Sequence, residues 1–287
     1  MSGEIDAPRI RLELTSRPEA SRLVRSMSSA AGEALGFDPE LLSDVNTAVA
    51  EACNNVILHA YESGPGPMSV ELRTPGGNVE VIVQDRGRGI RQAIPEHDRL
   101  KVGFALMSAL ADRAEFVNLP DGGTEVRLMF LSRGAPSPPT PVEQHASSNG
   151  HGGWPPQRGV ELTGEVVLTV SPVDLLGPIL GRLGRTLAPT AGFSLERCYD
   201  VYLLADALAA NAERAAQAGT ISVALGTRES SLEFALSPLR VGTSAGLNRP
   251  RAASTPGALA FLSEEVGISA LEGYETLRVS MRDHLRR

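Results

Sequence analysis

The stretch Asp44-Val-Asn-Thr-Ala-Val-Ala-Glu51-Ala-Cys-Asn-Asn55-Val-Ile-Leu-His59-Ala-Tyr61 decides how this chain folds. Leu41, Val45, Ala48, Val49, Ala52 and Val56 recur at helical spacing, so the segment is a helix with one apolar face turned to a core. Glu51, Asn55 and His59 fall four residues apart, on a stripe that borders this face. A polar stripe beside an apolar one also describes an ordinary surface helix. His59, near the helix end, reads as a favourable partner of the helix dipole rather than a catalyst.

Downstream, Val79-Glu-Val-Ile-Val-Gln-Asp85-Arg-Gly87-Arg-Gly89-Ile90 is an alternating strand that runs into Asp-x-Gly-x-Gly. An aspartate closing a strand can accept a hydrogen bond from an exocyclic amine, and glycines beside it leave room for a flat base such as adenine. Taken alone, the pentapeptide reads equally as a turn. Next, Arg99-Leu-Lys101-Val-Gly103-Phe104 opens a helix with a short glycine-containing loop, where backbone N–H groups suit phosphate oxygens. Gly122-Gly-Thr124 then leads into a closing strand, Glu125 to Phe130.

Together, in this order and spacing, these segments resemble the N box, G1 box and G2 box of the GHKL ATP-binding superfamily, and within it the bacterial anti-sigma-factor serine kinases. The resemblance covers about the first half of the chain and includes the entry segment Leu14-Thr-Ser-Arg-Pro-Glu-Ala. It implies ATP and Mg²⁺ as cofactors, with Asn55 as the magnesium ligand and Glu51 as the general base. One amide oxygen suits Mg²⁺, which keeps most of its positions for water and phosphate. Asp85 would read the adenine amino group, Gly87 and Gly89 would line the base pocket, and Gly103 with Phe104 would close over the phosphates. Thr124 would support the base, and Arg99 would touch the terminal phosphate. Lys101 stands where the family pattern has glycine; its side chain either crowds the lid or adds a phosphate contact. The segment Ile90 to Leu100 is short and contains Pro95, so the lid over the nucleotide is expected to be small.

Composition sets wider bounds. At 287 residues with 42% hydrophobic content, the chain can bury two cores of ordinary size. A formal charge of −7 argues against nucleic acid as the principal partner, and the basic end formed by Arg278, Arg282, Arg286 and Arg287 lacks interleaved aromatics. Cys53 and Cys198 lie in apolar helices without a metal-ligand pattern, which points to buried, reduced thiols and a cytoplasmic protein. No apolar run approaches bilayer length and no charged-then-apolar segment precedes the first strand, so neither membrane nor export is expected.

Three regions follow: an ATP-binding domain over 1–132, a Pro/Gly/Ser-rich linker over 133–159, and a second domain over 160–287. Trp154 in the linker either packs on a domain or stays exposed. The second domain repeats the first. Gly36-Phe-Asp-Pro-Glu resembles Gly192-Phe-Ser-Leu-Glu, and a shift of 156 maps Asp44 to Asp200, Val45 to Val201 and Asn55 to Asn211. The same shift puts Ala207 where Glu51 stands; the neighbouring Asp206 is turned by about 100° around the helix. Ser222-Val-Ala-Leu matches Ser69-Val-Glu-Leu, and Leu232 to Pro238 matches Val79 to Asp85, with Pro238 in place of the adenine-reading acid. The second domain therefore reads as a degenerate copy without base or adenine anchor.

The expected fold class is α/β: a two-layer sandwich of the GHKL (Bergerat) type, its sheet mixed but mainly antiparallel, with a degenerate domain of similar architecture. Arg9 to Leu14 alternates as a half-exposed edge strand would, and Glu165 to Val170 is its counterpart. By resemblance the protein is a serine/threonine kinase that phosphorylates an anti-sigma antagonist of the STAS type and regulates a sigma factor. The other reading is a non-catalytic, ATP-gated adaptor. A homodimer, or a pseudo-dimer formed within one chain, is expected.

Overall fold

The computed structural model describes residues 7–90, 98–131, 162–216, 219–228, 230–244 and 258–283, with the side chains of 98–101, 258 and 260 left aside. The linker expected over 133–159, with Trp154, lies outside the described residues, as do Pro95, Arg286 and Arg287. The first half runs β1 (Arg9–Thr15), α1 (Ala20–Ala34), α2 (Pro39–Asn55), a π turn (Val56–Ala60), β2 (Pro67–Arg73), β3 (Val79–Asp85), α3 (Asp98–Leu110), β4 (Arg113–Asn118) and β5 (Thr124–Phe130). The second runs β6 (Val166–Ser171), α4 (Leu176–Leu187), α5 (Leu195–Ala215), β7 (Ile221–Arg228), β8 (Ser231–Arg240), α6 (Ala258–Leu262), β9 (Glu265–Leu271) and β10 (Tyr274–Arg282).

All ten strands belong to one sheet, in the order β4-β5-β3-β2-β1-β6-β7-β8-β10-β9. Every registered pair is antiparallel, so the parallel component expected of a mixed sheet is missing among the described residues. Nor is β1 an edge: it pairs with β2 on one side and β6 on the other. Its alternation has another cause. Ile10, Leu12 and Leu14 point into the core, while Glu13 and Thr15 point to the open face, and period-2 patterning reports the faces of a strand rather than its lateral neighbours.

The β1–β6 junction carries an internal symmetry. Leu12 lies opposite Leu168, and these two residues are also related by the shift of 156. The antiparallel pairing is thus centred on a local twofold axis. Around it, α1 packs on α4, with Ser26 Oγ and Thr186 Oγ1 2.8 Å apart and an ion pair between Arg182 and Glu33.

The entries to α2 and α5 are built alike. Gly36 (φ 75°) and Gly192 (φ 76°) both occupy the left-handed region. Beyond them, Phe37 N donates to Gly32 O at 2.8 Å and Phe193 N to Ala188 O at 3.1 Å. Asp38 caps α2 through Leu41 N, and Ser194 caps α5 through Arg197 N. Ser69 faces Gln84 in the first half and Ser222 faces Ser237 in the second.

On the open face of the first half, Glu71 accepts hydrogen bonds from Arg9 and Arg73. Burial alone would raise its pKa, but the two guanidiniums outweigh burial and hold the carboxyl below its usual range. No helix among the described residues is long and apolar enough to cross a membrane.

Candidate functional site

Helix α2 delivers Glu51 and Asn55 to the surface that α3 covers. Gly103 is the contact. A Cβ on it would lie 2.8 Å from Glu51 Oε1 and 3.3 Å from both Asn55 amide atoms, so the backbone of α3 rests against the two side chains. Asn55 Nδ2 is buried there without a hydrogen-bond partner. An orphaned buried amide is costly unless something else completes it.

Helix α3 begins at Asp98, so Lys101 and Gly103 sit within the helix rather than in a loop that opens it. Their N–H groups belong to the helical ladder, and the orphan donors of the helix start lie earlier. A loop was expected because glycine usually breaks helices; here its small size matters instead, as it permits the close approach to Glu51 and Asn55. Arg99 and Lys101 share this helix, but their side chains lie outside the described residues. The ring of Phe104 packs on that of Phe116, with centroids 4.6 Å apart.

His59 leaves the stripe that carries Glu51 and Asn55. The α-helix ends at Asn55 and continues as the π turn Val56–Ala60, whose wider winding rotates later residues away from a four-residue stripe. The turn also places two backbone carbonyls: His59 O accepts from Arg88 Nε at 2.8 Å, and Ala60 O accepts from Arg88 N at 3.0 Å.

Asp85 ends β3 with its side chain buried. Burial pushes its carboxyl above the usual range, opposed by hydrogen bonds from the Gly87 N–H and from the backbone and hydroxyl of Thr124. Gly87 N donates to Oδ1 at 2.7 Å. The glycines around Asp85 first serve the protein's own packing. A Cβ on Gly87 would lie 2.2 Å from Ala60 O, and one on Gly123 would lie 2.1 Å from Asp85 O. Gly89 (φ 74°) leads into Ile90, whose N–H donates to Asn118 Oδ1 at 2.6 Å.

Three contributors were not singled out from the sequence. Tyr61 OH donates to Pro67 O at 2.5 Å and accepts from Arg86 N at 2.9 Å, which ties the end of the α2 segment to the turn after Asp85. Asn118 holds Ile90 from β4. Gly123 supplies the close approach behind Asp85. Only Gly122-Gly123 carried a local signal; Tyr61 and Asn118 act through contacts that only the fold creates.

The same places in the second half hold different chemistry. Asn211 is buried with Nδ2 again unpartnered, and Ala207 stands one turn before it. Glu275, in β10 where β5 has Thr124, is buried and accepts from Gly242 N at 2.6 Å and Ser244 N at 3.1 Å. That carboxylate is spent on the loop after β8. Cys53 and Cys198 are both buried free thiols; burial pushes Cys53 up to about 12, which keeps it protonated and inert.

The sequence pattern of the histidine kinase-like ATPase domain matches residues 14–130, the span that holds all of the first-half site. Over 133 residues the chain is 32% identical to the anti-sigma F factor of Pasteuria penetrans, a match that covers 42% of this chain and 89% of that one. The chain belongs to the GHKL superfamily, among the anti-sigma factors. The serine-protein kinase RsbW of Bacillus licheniformis, from the same family, is 28% identical over 154 residues, covering 48% of this chain and 96% of that one. A solved structure of RsbU and RsbW domains from Mycobacterium tuberculosis is similar over 42% of this chain and 32% of that one, with 26% identity and a TM-score of 0.34.

Proposed function

We propose that this protein is a serine/threonine protein kinase of the anti-sigma type, which uses ATP and Mg²⁺ to phosphorylate a serine on an anti-sigma antagonist and which binds a sigma factor. One observation carries the reading: Glu51 and Asn55, whose amide Nδ2 is buried without a partner, converge on Gly103 of α3, and β3, on which α2 also packs, ends in the buried carboxylate of Asp85.

The residues present suit the nucleotide and its metal. Asn55 offers a hard carbonyl oxygen, and its unpartnered Nδ2 can donate to phosphate. When bound, Mg²⁺ would neutralise charge on the phosphates and orient them for in-line transfer. Asp85 would accept the hydrogen bond of the adenine amino group, with Thr124 and the Gly87 N–H fixing its orientation. Glu51 would take the serine hydroxyl proton as the oxygen attacks, and the products are phosphoserine and ADP. Since Gly103 rests on Glu51 and Asn55, the first turns of α3 would withdraw to admit the phosphates; Arg99 and Lys101 ride on those turns.

In the same reading the chain divides into 1–132, 133–159 and 160–287, and the last part is a degenerate copy that takes the place of a second subunit. The Leu12–Leu168 axis, the matched helix entries and the shared strand register support this. With β1 paired on both edges, a second copy cannot join the sheet there. Incubation with labelled ATP and candidate antagonist domains tests the proposal. Label on the antagonist's serine, lost in Glu51→Ala while ATP binding persists, is the expected result. ATP binding without transfer to any antagonist would favour the adaptor.

A further inference from the structure

Helix α5 turns apolar side chains to solvent where α2 turns polar ones. Leu195, Tyr199 and Leu203 are 73%, 59% and 56% exposed, on consecutive turns of one face. The shift of 156 matches them to Pro39, Ser43 and Thr47, which are exposed as well. The two helices thus share a geometry, and only the second has an outward stripe that water disfavours. Three large apolar residues in register are more than the scattered exposure of an ordinary surface. Beside the stripe, Arg197 Nη2 holds Leu262 O of α6 at 3.1 Å, and Phe261 on α6 is exposed too.

Charge narrows the occupant. Glu196, Asp206 and Glu213 are exposed on the same side of α5 and form no ion pair among the described residues. Of the nearby cations, Arg185 already sits over the rings of Tyr199 and Tyr202, 5.7 Å from each centroid, and Arg214 lies at the far end of the helix. Two copies of this face would repel. An antiparallel crossing between Tyr199 and Leu203 sets Glu196 against Asp206 of the other copy, and a parallel one sets each acid against itself.

We propose that the α5 face of the second half is a docking site for an amphipathic helix of another protein, with apolar residues at helical spacing flanked by Lys or Arg. This surface is independent of the nucleotide site. Its test needs no ATP.

The full chain is titrated into a labelled Leu/Lys helical peptide about five turns long, with leucines on one face. A scrambled peptide of the same composition and a Leu/Glu peptide serve as controls. The proposal expects the Leu/Lys peptide to bind about tenfold or more tightly than either control. It also expects the Tyr199→Glu/Leu203→Glu double variant to lose that preference with an unchanged circular dichroism melt. Glu196→Lys/Asp206→Lys should shift preference toward the Leu/Glu peptide. Equal binding of the scrambled peptide, or a double variant that binds as well as the parent, overturns the proposal. So does light scattering that shows a stable dimer of the 30.3 kDa chain which the double variant disperses, since the occupant is then a second copy.

Discussion

The two halves share one order of helices and strands, and under the proposed function they differ where the first would hold its nucleotide. In α2, Glu51 stands one turn before a buried amide; in α5 that place is Ala207. At the end of β3 a buried Asp85 is held by Thr124 and Gly87; in β8, two residues before its end, stands Pro238, and the acid of the neighbouring strand, Glu275, is tied to a loop. Both halves keep the buried face of the helix, the glycine turn at its entry and the strand register. Packing constrains many residues weakly together, whereas the chemistry rests on two or three side chains. On the proposed reading, the second half has therefore lost the chemistry and kept the fold.

Removing the proposed base from the first half is the most severe way to erase this difference. Glu51→Ala should lower phosphoryl transfer by ~10²–10⁴ with nucleotide binding kept. Ala207→Glu in the second half should not restore it, because Pro238 leaves no adenine anchor there. Single-turnover assays on both variants measure this, and transfer by the Glu51→Ala protein at the parent rate would remove Glu51 from the chemistry.

Next in size is the proposed adenine anchor. Asp85→Ala removes a charge-assisted hydrogen bond of ~1.5–3 kcal/mol, so the Kd for ATP should rise roughly 10- to 100-fold. An unchanged constant would place the base elsewhere.

Two glycines sharpen the contrast in packing. Gly123 (φ 95°) has Asp85 O 2.1 Å from a would-be Cβ, while Gly242 (φ 85°) has open space. Gly123→Ala should cost about 3 kcal/mol or more through clash and strain together, and Gly242→Ala only about 1–2 kcal/mol for its left-handed backbone. Urea denaturation separates the two, and equal costs would contradict the close approach behind Asp85.

The smallest effect is pH-dependent. Burial raises the Asp85 carboxyl above its ordinary 3.8, so the folded chain holds a proton that the unfolded chain releases, and stability falls as pH rises through the folded value. Asp85→Asn keeps an acceptor for Gly87 N and removes the buried charge. The variant should be the more stable at pH 7, and its advantage should close below pH 3.8. A gap that widens in acid would reverse the assigned direction.

Much of this was legible in the sequence. The α2 periodicity, the β3 alternation and the Asp-x-Gly-x-Gly turn fix local structure through side-chain spacing, and they led to the family. Less legible was whatever depends on lateral neighbours. Arg9 to Leu14 carries no sign that β6 would join it, because alternation reports faces only. Glycine at 103 suggested a loop, since propensity says nothing of what a helix must approach. The π turn that moves His59 off the stripe leaves no mark in a pattern counted at ordinary helical spacing. Tyr61 and Asn118 bond to backbone groups brought near only by the completed sheet.

Titration calorimetry of the full chain with ATP and Mg²⁺ tests the central claim most directly. The account predicts one nucleotide per chain, weakened by Asp85→Ala and unaffected by Asn211→Ala. Absence of binding heat from folded protein, or two nucleotides per chain with one lost on Asn211→Ala, would contradict it.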